Sequence, residues 1–362
     1  MPGLRELRAH AREVIEAELA PHADAWEAAG HFPDAVFRTL AGAGLLGLAF
    51  PEELGGRALG PRAAAVLCEE LVRCESGGVA AGIGAHVGIA CPPLHRFGTR
   101  EQHERWLVPA IAGESVAALA ITEPHAGSDV AAARTHAHAV DGGFVVNGAK
   151  TYITNGVRAG FYVAAVRTTE EGGHHGMSFL VLEPGPGVHA SPLSKLGWHA
   201  SDTAELAFDD VAVGDDALLG ELHGGFRLVM ANFAWERLML SLGAIASAEL
   251  WLGRTRPLVR GQAARHRLAL LEARVAAARA HADRTLDLLE AGGDATTLVT
   301  EGKLATQRLA VEVLDACVDV HFEQQTAELE RAERALRDAR LGPIGGGTDE
   351  IMRELRGRAL AL

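Results

Sequence analysis

Glu236 stands in an apolar stretch, "NFAWERLMLSLGAI" (residues 232–245), where it is out of place. Three and four residues away along the chain are Asn232, Phe233, Met239 and Leu240. On a helix these share its face, so the carboxylate is surrounded by mostly apolar side chains. A charge placed there is costly unless something pairs with it or uses it. An ion pair with a neighbour such as Arg237 would satisfy it. So would acid–base chemistry, because desolvation raises a carboxylate's pKa toward that use.

Three further stretches could hold a ligand. In "ALAITEPHAGSDVAAARTHA" (118–137), apolar Ile121 is followed by a turn at Thr122-Glu123-Pro124 and a second at Gly127-Ser128-Asp129. Glycine lets backbone approach a flat ligand closely, and Thr122 and Ser128 offer hydroxyls and amides, although an ordinary loop would read the same way. "NGAKTYITNG" (147–156) places an aromatic, Tyr152, two residues before Thr154. "GPIGGGTDE" (342–350) sets three glycines before a helix start, where amides are unpaired, and a plain capped helix would look alike.

The elements that must position these residues fall into three regions. Residues 1–114 read as helices. Leu7, Ala11, Val14, Ile15 and Leu19 form one stripe ended by Pro21, and "PRAAAVLCEELVRCE" and "EQHERWLVPAIAGE" continue the pattern. In residues 115–221 the period changes to two, with "DGG" and "NG" as turns, which suggests a sheet sandwich or open barrel. Residues 222–362 return to long helical runs broken by "EAGGDA" and "GPIGGGTDE", as in an antiparallel bundle. The expected class is α+β: an N-terminal helical domain, a central β-sandwich or barrel domain, and a C-terminal four-helix bundle.

A net charge of -13 argues against a nucleic-acid surface. Cys68, Cys74, Cys91 and Cys317 form no C-x-x-C pair, so neither a disulfide framework nor a metal site is expected. The first segment is amphipathic and charged, and no apolar run approaches transmembrane length, which points to a reduced, cytoplasmic protein. His174-His175 reads as part of a loop between strands, and His136 and His138 as one solvated strand face. Only Lys150, Lys195 and Lys303 are lysine among 34 basic residues, a bias read as coding composition.

The ordered set "ITEPHAGSD", "NGAKTYITNG", "LGWHASDTAELAFDDVAV" and "RDARLGPIGGGTDEIMRELRGRA" resembles the acyl-CoA dehydrogenase family, essentially from end to end. The resemblance implies that same three-domain order and an FAD site. Ile121, Thr122, Gly127 and Ser128 match the loop along the isoalloxazine ring. Tyr152 stands where the family often has tryptophan, and Thr154 is placed near flavin N5. Gly347, Thr348 and Glu350 match the turn and helix start that cover flavin and thioester. Ser128 and Arg237 are expected to meet substrate.

One departure carries the functional reading. Most members place the catalytic glutamate directly before the final Gly-Thr of that turn, where this chain has Gly346. A minority, similar to isovaleryl-CoA dehydrogenase, supply it from the first bundle helix, and "WERLML" matches that pattern at Glu236. The implied chemistry is removal of an α-proton from an acyl thioester of CoA or acyl carrier protein. The β-hydride passes to flavin N5, and the amide of Gly346 stabilises the enolate. An electron-transfer flavoprotein and a homodimer or homotetramer are the implied partners, with neither nucleic acid nor membrane.

Two other motifs depart. Arg254 and Thr255 replace a Phe-Gly pair in "GRTRPLVRGQ", and the chain there is roughly eleven residues shorter than usual, about three helical turns. "DVHFEQQTAEL" replaces a Gln-x-x-Gly-Gly turn. In many relatives both segments reach a neighbouring subunit's FAD, so this chain would hold FAD mostly within one subunit, use Arg254, Arg256 or Arg260 for the diphosphate, or bind flavin weakly. The arginines from Arg254 to Arg274 suit either a wet helix face or an acidic partner. The competing functions are a flavin oxidase or monooxygenase on this fold, and a non-catalytic thioester-binding homologue.

Overall fold

The computed structural model describes residues 3–169 and 173–362. Glu170 and Glu171, and the side chain of His174 in the expected loop, lie outside the described residues.

The N-terminal region is helical: α1 (Leu4–Glu18), α2 (Ala23–Ala29), α3 (Ala35–Gly42), α4 (Gly60–Leu71), α5 (Gly77–Gly84), α6 (Cys91–Phe97), α7 (Arg100–Gln102) and α8 (Val108–Ile111). The expected stripe is its core seam, since Leu7, Ala11, Ile15 and Leu19 are all buried. Periodicity alone assigns no element to the glycine-rich run from Gly77 to Phe97. The structure makes it continuous helix, with a π-helical stretch at Ala85–Ala90 joining α5 to α6.

The central strands are β1 (Ala117–Ala120), β2 (His136–Val140), β3 (Gly143–Ile153), β4 (Phe161–Arg167), β5 (Met177–Leu182), β6 (Val188–Pro192), β7 (Ala204–Gly214) and β8 (Leu218–Leu219). They form one sheet in the order β6-β7-β3-β2-β4-β5-β8, with β1 parallel to β4. Its two halves meet at a single pair, His136–Arg167. They fold over a shared core in which Phe144, Val146 and Phe208 face Tyr162, Ala164 and Leu180. That is the open barrel expected from the period-two pattern. β4 and β5 are buried on both faces because a second core, with Trp106, Leu107 and Leu228, covers their outer side.

The C-terminal region contains α9 (Gly225–Thr255), α10 (Gln262–Glu290), α11 (Thr296–Glu323), α12 (Leu329–Ala339) and α13 (Asp349–Ala359). α11 is central to the bundle and packs against the other four, and α4 closes it from the N-terminal side. Two runs, Gly77–Phe97 and Gly225–Leu258, are long and apolar enough to cross a membrane, which corrects the expectation of no such length. Both are used inside the protein: the first packs on β1 and the second is the bundle's inner helix.

One carboxylate ties the three regions together. Asp338 on α12 accepts hydrogen bonds from the amides of Gly77 on α5 (2.9 Å) and Trp198 in the β6–β7 loop (2.6 Å). The junction is tight enough to require glycine at 77, where a Cβ would stand 2.7 Å from both Asp338 and Trp198. Burial pushes the Asp338 carboxyl up to about 6.

Candidate functional site

The loop after β1 is held by a buried ion pair. Glu123 accepts from the amides of Arg134 (2.7 Å) and Thr135 (3.0 Å) and from Lys150 Nζ (2.8 Å), which also donates to the Ile121 carbonyl (3.1 Å). Lys150 is wholly enclosed, and desolvation pulls it down to about 8 against the opposing pull of Glu123. Glu123 stays below the usual carboxylate range, because the neighbouring ammonium and its hydrogen bonds outweigh its own burial. Lys150 points inward in phase with Phe144 and Val146, and β3 is bulged just after it, before Ile153. The bulge holds Tyr152 at φ 59°, a costly angle for a non-glycine residue, and leaves it 70% exposed.

The amide of Thr151 donates to the Thr122 carbonyl (2.9 Å), joining the two loops that carry Ile121, Thr122, Tyr152 and Thr154. The hydroxyls of Thr122, Ser128 and Thr154 have no hydrogen-bond partner among the described residues, and a Cβ on Gly127 would meet only Thr122, at 3.9 Å. An open shelf with an exposed ring, free hydroxyls and an unobstructed glycine fits the flavin that the resemblance implies.

Opposite lies α9. Glu236 and Ile121 line one narrow cavity of about 10 Å³, the room of a single water, whose other walls include Pro93, Leu119, Phe179 and Phe233. Glu236 keeps some surface open to that cavity while protein surrounds its carboxylate, and no hydrogen bond satisfies it among the described residues. Desolvation pushes it up to about 7, against the pull of the positive charges on Arg237 and Lys303. Arg237 makes no direct ion pair with Glu236. It lies over the Phe233 ring (4.8 Å) and donates to the Gly346 carbonyl (3.2 Å).

Gly346 explains why the charge is on α9. It has φ 64°, and a Cβ built on it would stand 2.4 Å from Leu240 Cδ1 and 3.4 Å from Glu236 Oε1. The Glu236 carboxylate therefore occupies the space that a side chain at 346 would enter. Neither the Gly346 nor the Gly347 amide donates to an acceptor among the described residues. Thr348 caps α13, accepting from the Ile351 amide (3.3 Å). Glu350 faces solvent near Arg353 and is not part of the cavity lining.

The arginines considered for a diphosphate already have partners. Arg254 pairs with Glu75 (2.6 Å) and Arg256 with Glu272 (2.8 Å), while Arg260 donates to the carbonyls of Pro257 and Val259. Sequence reasoning missed three residues at the site: Lys150, Lys303 and Asn232. Lys303 on α11 is enclosed and donates to the Gly342 carbonyl (3.1 Å). Asn232 donates to the Ile89 carbonyl (3.2 Å), an acceptor that Pro93, lacking an N–H, leaves free.

Comparison with known proteins agrees with the three-region fold. Models of the N-terminal, middle and C-terminal domains of acyl-CoA dehydrogenase match residues 2–114, 118–211 and 223–361. The chain is 33% identical to the mitochondrial long-chain specific acyl-CoA dehydrogenase of Mus musculus over 368 residues, covering 98% of this chain and 85% of that protein. It is 31% identical to the mitochondrial isovaleryl-CoA dehydrogenase of Solanum tuberosum, covering 98% and 90%. A crystal structure of a probable acyl-CoA dehydrogenase from Mycobacterium abscessus superposes with a TM-score of 0.95 at 37% identity, covering 99% of each chain. A buried carboxylate facing a flavin-loop cavity, three matched domains and end-to-end likeness have one reading: the chain belongs to the acyl-CoA dehydrogenase family of FAD-dependent oxidoreductases.

Proposed function

We propose that the protein dehydrogenates an acyl thioester at the α,β position, with Glu236 as the base. The observation that carries this is the cavity shared by Glu236 and Ile121. A carboxylate there borders the cavity beside the expected flavin loop, is largely desolvated and has no hydrogen-bond donor among the described residues to quench it, as suits a base for a weakly acidic C–H. Thr122, Ser128, Tyr152 and Thr154, with Gly347 and Thr348, would hold the flavin, which when bound accepts the hydride leaving the β-carbon. The Gly346 amide is free to donate to the thioester oxygen as charge develops on it. Arg237 donates to the Gly346 carbonyl and so holds the Gly346–Gly347 peptide, next to the one that carries the donating amide. Ser128 at the exposed loop would meet the outer part of the substrate.

The carrier of the acyl group is CoA or an acyl carrier protein, an electron-transfer flavoprotein reoxidises the enzyme, and the working form is a homo-oligomer. Anaerobic bleaching of the bound flavin by a panel of acyl-CoA and acyl-carrier thioesters tests the reading. A matching thioester should bleach the parent protein, and Glu236→Gln should slow that at least ~1000-fold. Equal bleaching by the variant would rule Glu236 out as the base. Rapid reoxidation by dioxygen after reduction by a substrate that is not a thioester would point to an oxidase instead.

A further inference from the structure

Lys303 has no part in the chemistry described so far, yet it is fully enclosed beside the base. An ammonium buried without a use is as costly as a buried carboxylate. Its Nζ donates to the Gly342 carbonyl, the first residue of the glycine turn. Its Cε stands 3.7 Å from the point where a Cβ on Gly346 would be, and Glu236 Oε1 stands 3.4 Å from the same point. The two side chains thus flank one position, reaching it from α11 and α9. Arg237 takes the Gly346 carbonyl and Lys303 the Gly342 carbonyl, so two cations grip the turn at both ends.

We propose that Lys303 is a positioning residue of the proton-transfer step: anchored on Gly342, it fixes the glycine turn against the Glu236 carboxylate and supplies positive charge on which that base depends. The proposal rests on Glu236 being the base. The other charged groups facing this point are few. Arg237 comes from α9, and Arg308 on α11 is committed to Asp349 on α13. On α10, His281 packs beside Gly302 and is hydrogen-bonded to the Leu298 carbonyl. Toward the cavity, β1, β5 and α6 present Leu119, Phe179 and Pro93, which carry no charge. Burial pulls Lys303 down to about 8, with Asp349 and Glu236 opposing, so the ammonium is charged over the range in which Glu236 titrates.

The test is the pH dependence of anaerobic flavin bleaching in the holoenzyme, using a thioester that the parent protein oxidises. For Lys303→Met, the rising limb should move up by about one pH unit. At pH 6.5 the rate should fall about tenfold, while at pH 9 it stays within about threefold of the parent. Lys303→Gln keeps a donor for the Gly342 carbonyl but no charge, and it should show the same displacement should the Met variant fold poorly. Lys303→Arg should keep the parent limb. A uniform loss at every pH, or an unmoved limb in Lys303→Gln, overturns the proposal. Glu236→Gln separates the two readings, because its failure to slow bleaching would refute the base assignment whatever the lysine variants do.

Discussion

At the scale of single residues, opposing demands meet at Glu236: it must give up water to become basic, yet stay ionised enough to take a proton. Its folded value of about 7 lies above the ordinary carboxylate value of 4.5. The folded state therefore holds the proton more tightly than the unfolded chain. Stability from this group is fully present below about pH 4.5 and is lost as pH rises toward 7. Glu236→Gln should match the parent's stability near pH 4 and exceed it at pH 8 by about 1–3 kcal/mol, read from denaturant unfolding at the two pH values. The rate limb should rise with an apparent pKa near 7 in the parent. Gly346→Ala places a methyl 2.4 Å from Leu240 and forces a left-handed residue. It should lower the melting temperature by several degrees and slow bleaching about tenfold or more.

Among elements, the loop after β1 depends on a pair that cannot lose one member cheaply. Lys150→Met would leave Glu123 buried and unpaired, costing about 3–5 kcal/mol and loosening flavin. The double variant Glu123→Gln with Lys150→Met should recover much of that stability in thermal melts, and recovery of nothing would show that the pair is not the unit. Much of this region was legible in the sequence: turn residues and β-period marked the strands, and the motif order marked the loops. The bulge that turns Tyr152 outward was not, because alternation alone cannot say where register slips. The run from Gly77 to Phe97 was hidden for a related reason. Its glycines and Pro92-Pro93 give no helical period, yet the helix runs through a π stretch, with Asn232 donating to the Ile89 carbonyl beside the prolines. The proposed base was picked out from an absence at Gly346, whereas Lys303 lay in an unremarkable helix and carried no local pattern.

For the whole molecule, Asp338 is the shared fastening of the three regions. Asp338→Ala leaves two amides without their acceptor and should cost about 2–4 kcal/mol. It should also make proteolysis near residues 113–116 and 193–203 faster than in the parent, and equal cleavage would show that other contacts hold the regions together. The three lysines have a wider consequence. Lys150 and Lys303 are sealed inside, and Lys195 spends its Nζ on the carbonyls of Leu193 and Ser201. The outer surface consequently offers almost no primary amines to electrophiles. If it handles activated acyl groups as proposed, the protein is thereby a poor target for stray acylation, and amine-directed labels and cross-linkers should react with few sites on it.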